Sequence, residues 1–133
     1  MTYVVVAVIS RLNTNSEEEF LLASSKSDFG EFTGCYYPPS GHVEIGETEE
    51  GALRRELQEE LALELKGAKR ICELPGDLPD EICCFYKCSV DMENLIVNKD
   101  ELDDVGFFTI AEINNLKLWP LTKRFFENYA SHL

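Results

Sequence analysis

"GHVEIGETEEGALRRELQEELAL", residues 41–63, is the stretch on which the reading of this chain turns. Its second half is expected to be a helix. Thr48 is a good N-cap residue, and Glu49 and Glu50 follow in the first turn, where the positive end of the helix dipole favours anions. The helix should run to Leu61 or Leu63. At about 100° per residue, Glu56, Glu59 and Glu60 share one face, with Leu53, Leu57 and Leu61 as an apolar stripe beside it. Arg54 and Gln58 point to the opposite side, and Arg55 flanks the acidic face at its edge. Seven glutamates between positions 44 and 60 make either a solvated acidic surface or a cage for a divalent cation. A helix's solvent face lies opposite its apolar stripe, whereas this acidic face borders the stripe. Partly buried carboxylates so close together cannot all ionise without a compensating cation. Oxygen donors with no thiolate or imidazole nearby select Mg2+, with Mn2+ as the alternative.

Working outward, "TYVVVAVISR" (residues 2–11) is β-branched and almost continuously apolar, the signature of a strand buried on both faces. "EFLLASS" reads as a second strand, and "KSDFGEFTG" as a surface loop. Pro38-Pro39 holds the chain extended before a turn at Ser40-Gly41. After the helix, "LELKGAKRICEL" and "EICCFYKCSV" read as strands joined by the turn "PGDLPD"; Ile82, Cys84, Tyr86 and Cys88 fall on one face of the second. "VGFFTI" is a last short strand, Thr109 to Glu112 has capping-box spacing for a short helix, and Pro120 opens a terminal helix carrying Leu121, Phe125 and Tyr129. The order predicts a mixed sheet covered by helices.

At 133 residues, 44% of them hydrophobic, the chain is expected to form one ordered domain. A formal net charge of −13 argues against nucleic acid or an anionic membrane as partner through a broad basic surface. No stretch is long and apolar enough to span a bilayer, and Tyr3 to Ile9 lacks the flanks of a signal peptide, so a cytoplasmic location with five reduced cysteines is expected. Cys83, Cys84 and Cys88 lack a C-x-x-C pair and stand far in sequence from His42 and His132, so they read as strand packing rather than a zinc site.

Gly41, Glu47, Arg55, Glu56, Leu57, Glu59, Glu60 and Leu63 fill the pattern G-x5-E-x7-R-E-U-x-E-E-x-G-U, where U is a bulky aliphatic, with Ala62 in place of the second glycine. This segment, 41–63, resembles the Nudix box of the Nudix hydrolases. Tyr37-Pro38 with Ser40-Gly41 and Glu44 resembles the family's lead-in, with Ser40 replacing its first glycine, and "ELDDVGFFTIAEI" resembles the elements after the box. The resemblance covers residues 1–133 as a single domain and implies an α/β (α+β) architecture, a Nudix fold with a mixed β-sheet sandwiched between helices.

The resemblance further implies hydrolysis of a nucleoside diphosphate linked to another group. Carried over by position, it makes Glu56, Glu59 and Glu60 ligands of Mg2+ (or Mn2+), with the Ser40 carbonyl as a further ligand. Arg55 then holds Glu56 in place and Glu47 supports the loop–helix–loop. The general base is Glu56 or a carboxylate outside the box from among Glu101, Asp103 and Asp104, with Glu101 the expected one of these, while His42 reads as a turn residue. Tyr37 and Phe107 are candidates to stack on the substrate, with Tyr86 as another aromatic. The short length resembles MutT-like members, which implies a small-molecule nucleotide, a (deoxy)nucleoside triphosphate cleaved to monophosphate and pyrophosphate. Pro79, sixteen residues past Leu63, resembles ADP-ribose-cleaving relatives and supports the alternative of a nucleoside-diphosphate sugar. A catalytically inactive nucleotide-binding module is the remaining alternative, and either a monomer or a homodimer fits the family.

Overall fold

A computed structural model describes residues 1–133, His132 without its side chain. The continuous apolar run forms β1 (Thr2–Val8), which continues after Ile9 into β2 (Ser10–Leu12). Its alternation sorts the core into two layers: Val5, Ala7 and Ile9 face one cluster and Val4, Val6 and Val8 the other. This is the burial on both faces that the unbroken β-branched sequence predicts.

The remaining elements arrange themselves around β1. β3 is Glu18–Ser25, β4 Tyr36–Tyr37 and β5 Ser40–His42; α1 is Glu49–Leu61, β6 Glu64–Pro75, β7 Glu81–Asp91 and β8 Leu102–Thr109; α2 is Ile110–Ile113 and α3 Pro120–Tyr129. A mixed four-stranded sheet runs β5-β1-β7-β6, with β1 parallel to β7 (Val4 opposite Cys83) and antiparallel to β5 (Val5 opposite Gly41). A second, antiparallel sheet that the sequence reading did not separate from the first joins β2, β3 and β4, with β8 also paired to β3. The chain crosses between them at Ile9, whose carbonyl accepts from Leu21 N at 2.9 Å.

α1 covers one face through Ala52, Leu53, Leu57 and Leu61, and α3 covers the opposite one through Leu121, Phe125 and Phe126. Phe125 stacks on Phe85 with ring centroids 4.3 Å apart. The Thr48 hydroxyl accepts from Gly51 N at 3.0 Å, so α1 begins where its sequence directs. It ends at Leu61, the nearer of the two expected ends, with Ala62 in the left-handed conformation (φ 53°, ψ 33°) as its C-cap. The capping box Thr109–Glu112 opens α2. α3 takes its cap from elsewhere: both carboxylate oxygens of Asp77, in the β6–β7 turn, accept from Leu121 N at 3.2 Å. Cys83, Cys84 and Cys88 are buried along β7. No helix among the described residues is long and apolar enough to cross a membrane.

Candidate active site

Arg55 is the hub of the acidic segment. Its Nε and Nη2 donate to the two oxygens of Glu47 at 2.8 and 2.9 Å, a bidentate pair that uses the planar guanidinium fork. Nη1 donates to Glu56 Oε1 at 2.8 Å and to Glu59 Oε2 at 3.4 Å, and Nη2 also reaches the His42 carbonyl at 2.9 Å. Glu47 Oε1 in turn accepts from Glu44 N at 2.9 Å. These bonds, first that from Arg55 and then that from Glu44 N, hold the Glu47 carboxyl down to about 2. Loop and helix are thus pinned to each other through one cation.

Glu60 projects from the same face but into the protein, where it is 6% exposed. Burial pushes its carboxyl well above the ordinary glutamate range, and the neighbouring Glu56, hydrogen-bonded to it, pushes it further. Two carboxylates in contact in a half-dry site hold either a shared proton or a cation between them, so Glu56 and Glu60 fit a hard divalent ion. Glu59 stands apart, its side chain 53% exposed and drawn toward Arg55, and no cluster of three or more His, Cys, Asp or Glu side chains converges among the described residues. The helical spacing accounts for this: Glu59 and Glu60 leave the axis about 100° apart, one toward solvent and one toward the core. Asn98 N donates to the Glu60 carbonyl at 2.8 Å, tying the segment before β8 to the end of α1.

A glycine completes this arrangement. A Cβ on Gly41 would fall inside the van der Waals shell of Glu56 Cγ, Cδ and Oε1, so the absence of a side chain is what admits the Glu56 carboxyl. Gly41 does not have a positive φ, so the requirement is one of space and not of backbone freedom.

The other expected site residues separate. Tyr37 is half-buried beside the acidic pair; burial pushes its hydroxyl up to about 12, with the charges of Glu60, Glu101 and Glu56 adding to the effect and a hydrogen bond with Ser25 opposing it. Glu101, exposed, is near enough for its charge to act on both Tyr37 and Glu60. Asp104 instead accepts a short hydrogen bond from Tyr36, with Asp103 close by. Phe107 is not brought to the cluster: it packs with the α1-side core beneath Arg11, whose guanidinium carbon lies 3.7 Å from the ring centroid. The alternation of β8 turns Phe108 to the other face and leaves Phe107 on this one. Tyr86 is held at Glu49, to which its hydroxyl donates at 2.5 Å.

Beside the acidic pair, across Ser40, Gly41 and His42, opens a cavity of about 220 Å3. Val4, Val6, Cys83 and Phe85 line it on the sheet side, and Tyr37 also borders it. Phe29 and Trp119 border it too, their ring centroids 5.2 Å apart and nearly perpendicular. Asp77, Glu81 and Leu78 come from the β6–β7 turn, while Pro79 is exposed and is not among the lining residues. Sequence reasoning missed this cavity. Its one local signal was Trp119, the only tryptophan, set directly before the helix-opening Pro120.

A model of the NUDIX domain matches residues 1–129. The NAD-capped RNA hydrolase NudC of Haemophilus influenzae (strain PittEE) is 26% identical over 108 residues, which are 81% of this chain and 41% of that protein. The chain therefore spans less than half the length of that curated relative. The MutT NUDIX hydrolase from Burkholderia pseudomallei has the same fold, with a TM-score of 0.78 at 23% identity over 95% of both chains. The NUDIX domain of Shewanella oneidensis NrtR, solved with ADP ribose, matches with a TM-score of 0.79 at 17% identity over 98% of this chain and 86% of the other. With the domain matched over nearly its whole length and the fold shared with those proteins, this chain belongs to the Nudix hydrolase family.

Proposed function

We propose that the chain is a Mg2+-dependent pyrophosphohydrolase acting on a (deoxy)nucleoside triphosphate, which it cleaves to the monophosphate and pyrophosphate. The observation that carries this reading is the adjacency of a cavity of about 220 Å3 to the Glu56–Glu60 pair, with Ser40 and Gly41 between them. That volume is below the roughly 300–1,000 Å3 of sites that enclose drug-sized ligands, so it suits one heterocycle with its phosphates lying outside over the acidic face. Glu56 and Glu60, with the Ser40 carbonyl, would hold the metal, Mn2+ being the alternative, and Glu59 would join them by turning inward from Arg55. A bound divalent ion supplies charge neutralisation at the phosphate oxygens and lowers the pKa of the attacking water.

The chain's own residues do the rest. Arg55 keeps Glu56 in one orientation while being itself held by Glu47, so the carboxylate need not reorganise when charge builds up. Glu101, whose charge reaches the acidic pair, is the group that takes the proton of the attacking water in this reading. Tyr37 borders both the cavity and the carboxylates and is suited to bracing the base end of the nucleotide.

A second reading, cleavage of an NAD-like or ADP-ribose substrate, draws on the NudC match over 108 residues and on the ADP ribose bound by the NrtR domain. The net charge of −13 weighs against the RNA body of a capped transcript. A screen of nucleoside triphosphates, ADP-ribose and NAD+ with Mg2+, read by product analysis, tests the two together. Inorganic pyrophosphate as the product supports the first reading. A catalytic efficiency about tenfold higher on ADP-ribose or NAD+, with AMP released, overturns it.

A further inference from the structure

The cavity is acidic and has no Lys or Arg among its described lining residues, which is unusual for a pocket in a site that handles a polyanion. Of its two carboxylates, Asp77 is already committed, both oxygens accepting from Leu121 N at the start of α3. Glu81 is not. Among the described residues it forms no ion pair, and its side chain accepts one weak bond, from Cys83 Sγ to Oε1 at 3.7 Å. The carboxylate nevertheless has a fixed seat. A Cβ on Gly76 would lie 2.7 Å from Glu81 Cγ and 2.9 Å from its Cβ, so Glu81 occupies space that only a glycine leaves open. The backbone closes the same hairpin, Gly76 N donating to the Glu81 carbonyl at 2.7 Å. The carboxylate is thus seated between a glycine and a thiol at the wall of a heterocycle-sized cavity, with Oε2 free of protein partners and Oε1 accepting only the weak thiol bond, so both oxygens keep lone pairs for a ligand.

We infer that Glu81 reads the base and selects one presenting two adjacent N–H donors. The inference rests on the cavity being the base site of the proposed hydrolase. An ionised carboxylate is acceptor-only and pairs best with two parallel N–H groups. Guanine offers these, at N1 and N2. Adenine and cytosine place an acceptor nitrogen beside their amine, and uracil and thymine flank their one N–H with carbonyls, so each sets a lone pair against one carboxylate oxygen. Hypoxanthine has the N1–H and lacks the amine, which makes it the minimal contrast. The carboxylates also disfavour a second phosphate group in the cavity.

The test compares kcat/KM for GTP and ITP in the wild-type chain, in Glu81→Gln and in Gly76→Ala. The wild type is expected to favour GTP by about tenfold or more, the usual discrimination of a bidentate base contact. Glu81→Gln, which faces a guanine N–H with another N–H, and Gly76→Ala, which displaces the carboxylate without removing it, should both bring the ratio close to one. A wild-type ratio near one, or a ratio that survives both substitutions while the two substrates slow equally, overturns the inference and leaves Glu81 a structural residue. If no triphosphate is hydrolysed, the proposed reaction fails by itself. Titration of guanosine and inosine in metal-free buffer, followed through the amide signals of Cys83 and Trp119, then decides the base reading: tighter guanosine binding that is lost in Glu81→Gln upholds it, and equal binding overturns it.

Discussion

Replacing Gly41 by alanine should disable the site while leaving the fold standing. The added Cβ would overlap Glu56 at three atoms, Cγ, Cδ and Oε1. Non-bonded carbons settle at about 3.5–4.0 Å, so the Glu56 carboxyl must retreat by more than about 1 Å. Retreat breaks the 2.8 Å bond from Arg55 Nη1 and the contact with Glu60, because both depend on where that carboxyl lies. A misplacement of about 1 Å at a reacting centre costs about 100-fold in rate. The fold cost is smaller. The Glu56 side chain is 18% exposed and has room to swing outward, so the loss should stay at or below the roughly 1–3 kcal/mol of an overpacked core. Steady-state kinetics on the best substrate from the screen, a Mg2+ titration and a thermal melt of the metal-free protein measure the three quantities separately. Activity of Gly41→Ala within a few-fold of the wild type would refute the reasoning, because it would mean that the position of Glu56 over Gly41 does not matter for turnover.

Three further outcomes follow from the same geometry. Glu60 binds its proton more tightly folded than unfolded, because burial and Glu56 raise its pKa, so the metal-free protein should lose stability as pH rises above the ordinary glutamate value of 4.5 toward the raised one. Melts from pH 5 to 8 should show this decline, Glu60→Gln should flatten it, and Mg2+ at pH 8 should raise the wild-type midpoint more than the variant's; Glu47, with its lowered pKa, acts with the opposite sign and only in more acid solution. Ala62→Gly should stabilise the chain by about 1 kcal/mol, a rise of about 3–5 °C in the melting midpoint, since Ala62 sits in the left-handed region; an unchanged or lower midpoint would show that unfolded-state entropy of the glycine outweighs the relief. Arg55→Lys keeps the charge but cannot serve Glu47, Glu56 and the His42 carbonyl at once, so turnover should fall by about tenfold or more with little change in apparent Mg2+ affinity; a loss confined to Mg2+ affinity would assign Arg55 to tuning the ligands instead.

Local pattern was enough for the elements and for which residues share a face. The unbroken Val-rich run of β1 reports burial on both sides, Thr48 and the Thr109–Glu112 box mark helix starts, and the spacing of Glu56, Glu59 and Glu60 places them beside the Leu53–Leu57–Leu61 stripe. These features repeat with the period of their own element, so they are legible without knowing what packs against it. Which faces meet is a different matter, settled by strand register and by contacts between residues far apart in sequence. Glu59 and Glu60 both belong to the acidic face of a helical wheel, yet one is exposed and the other is buried beside Glu56, where the segment carrying Asn98 closes on the end of α1. Phe107 and Phe108 are neighbours in one aromatic strand, and only the pairing of β8 with β3 turns Phe107 toward Arg11 and away from the cavity. The cavity itself exists because parallel pairing sets Cys83 opposite Val4, and because Asp77 caps a helix that begins more than forty residues later and carries Trp119 at its entrance. Periodicity describes one element at a time, whereas closing a long loop brings together side chains whose meeting no local pattern records.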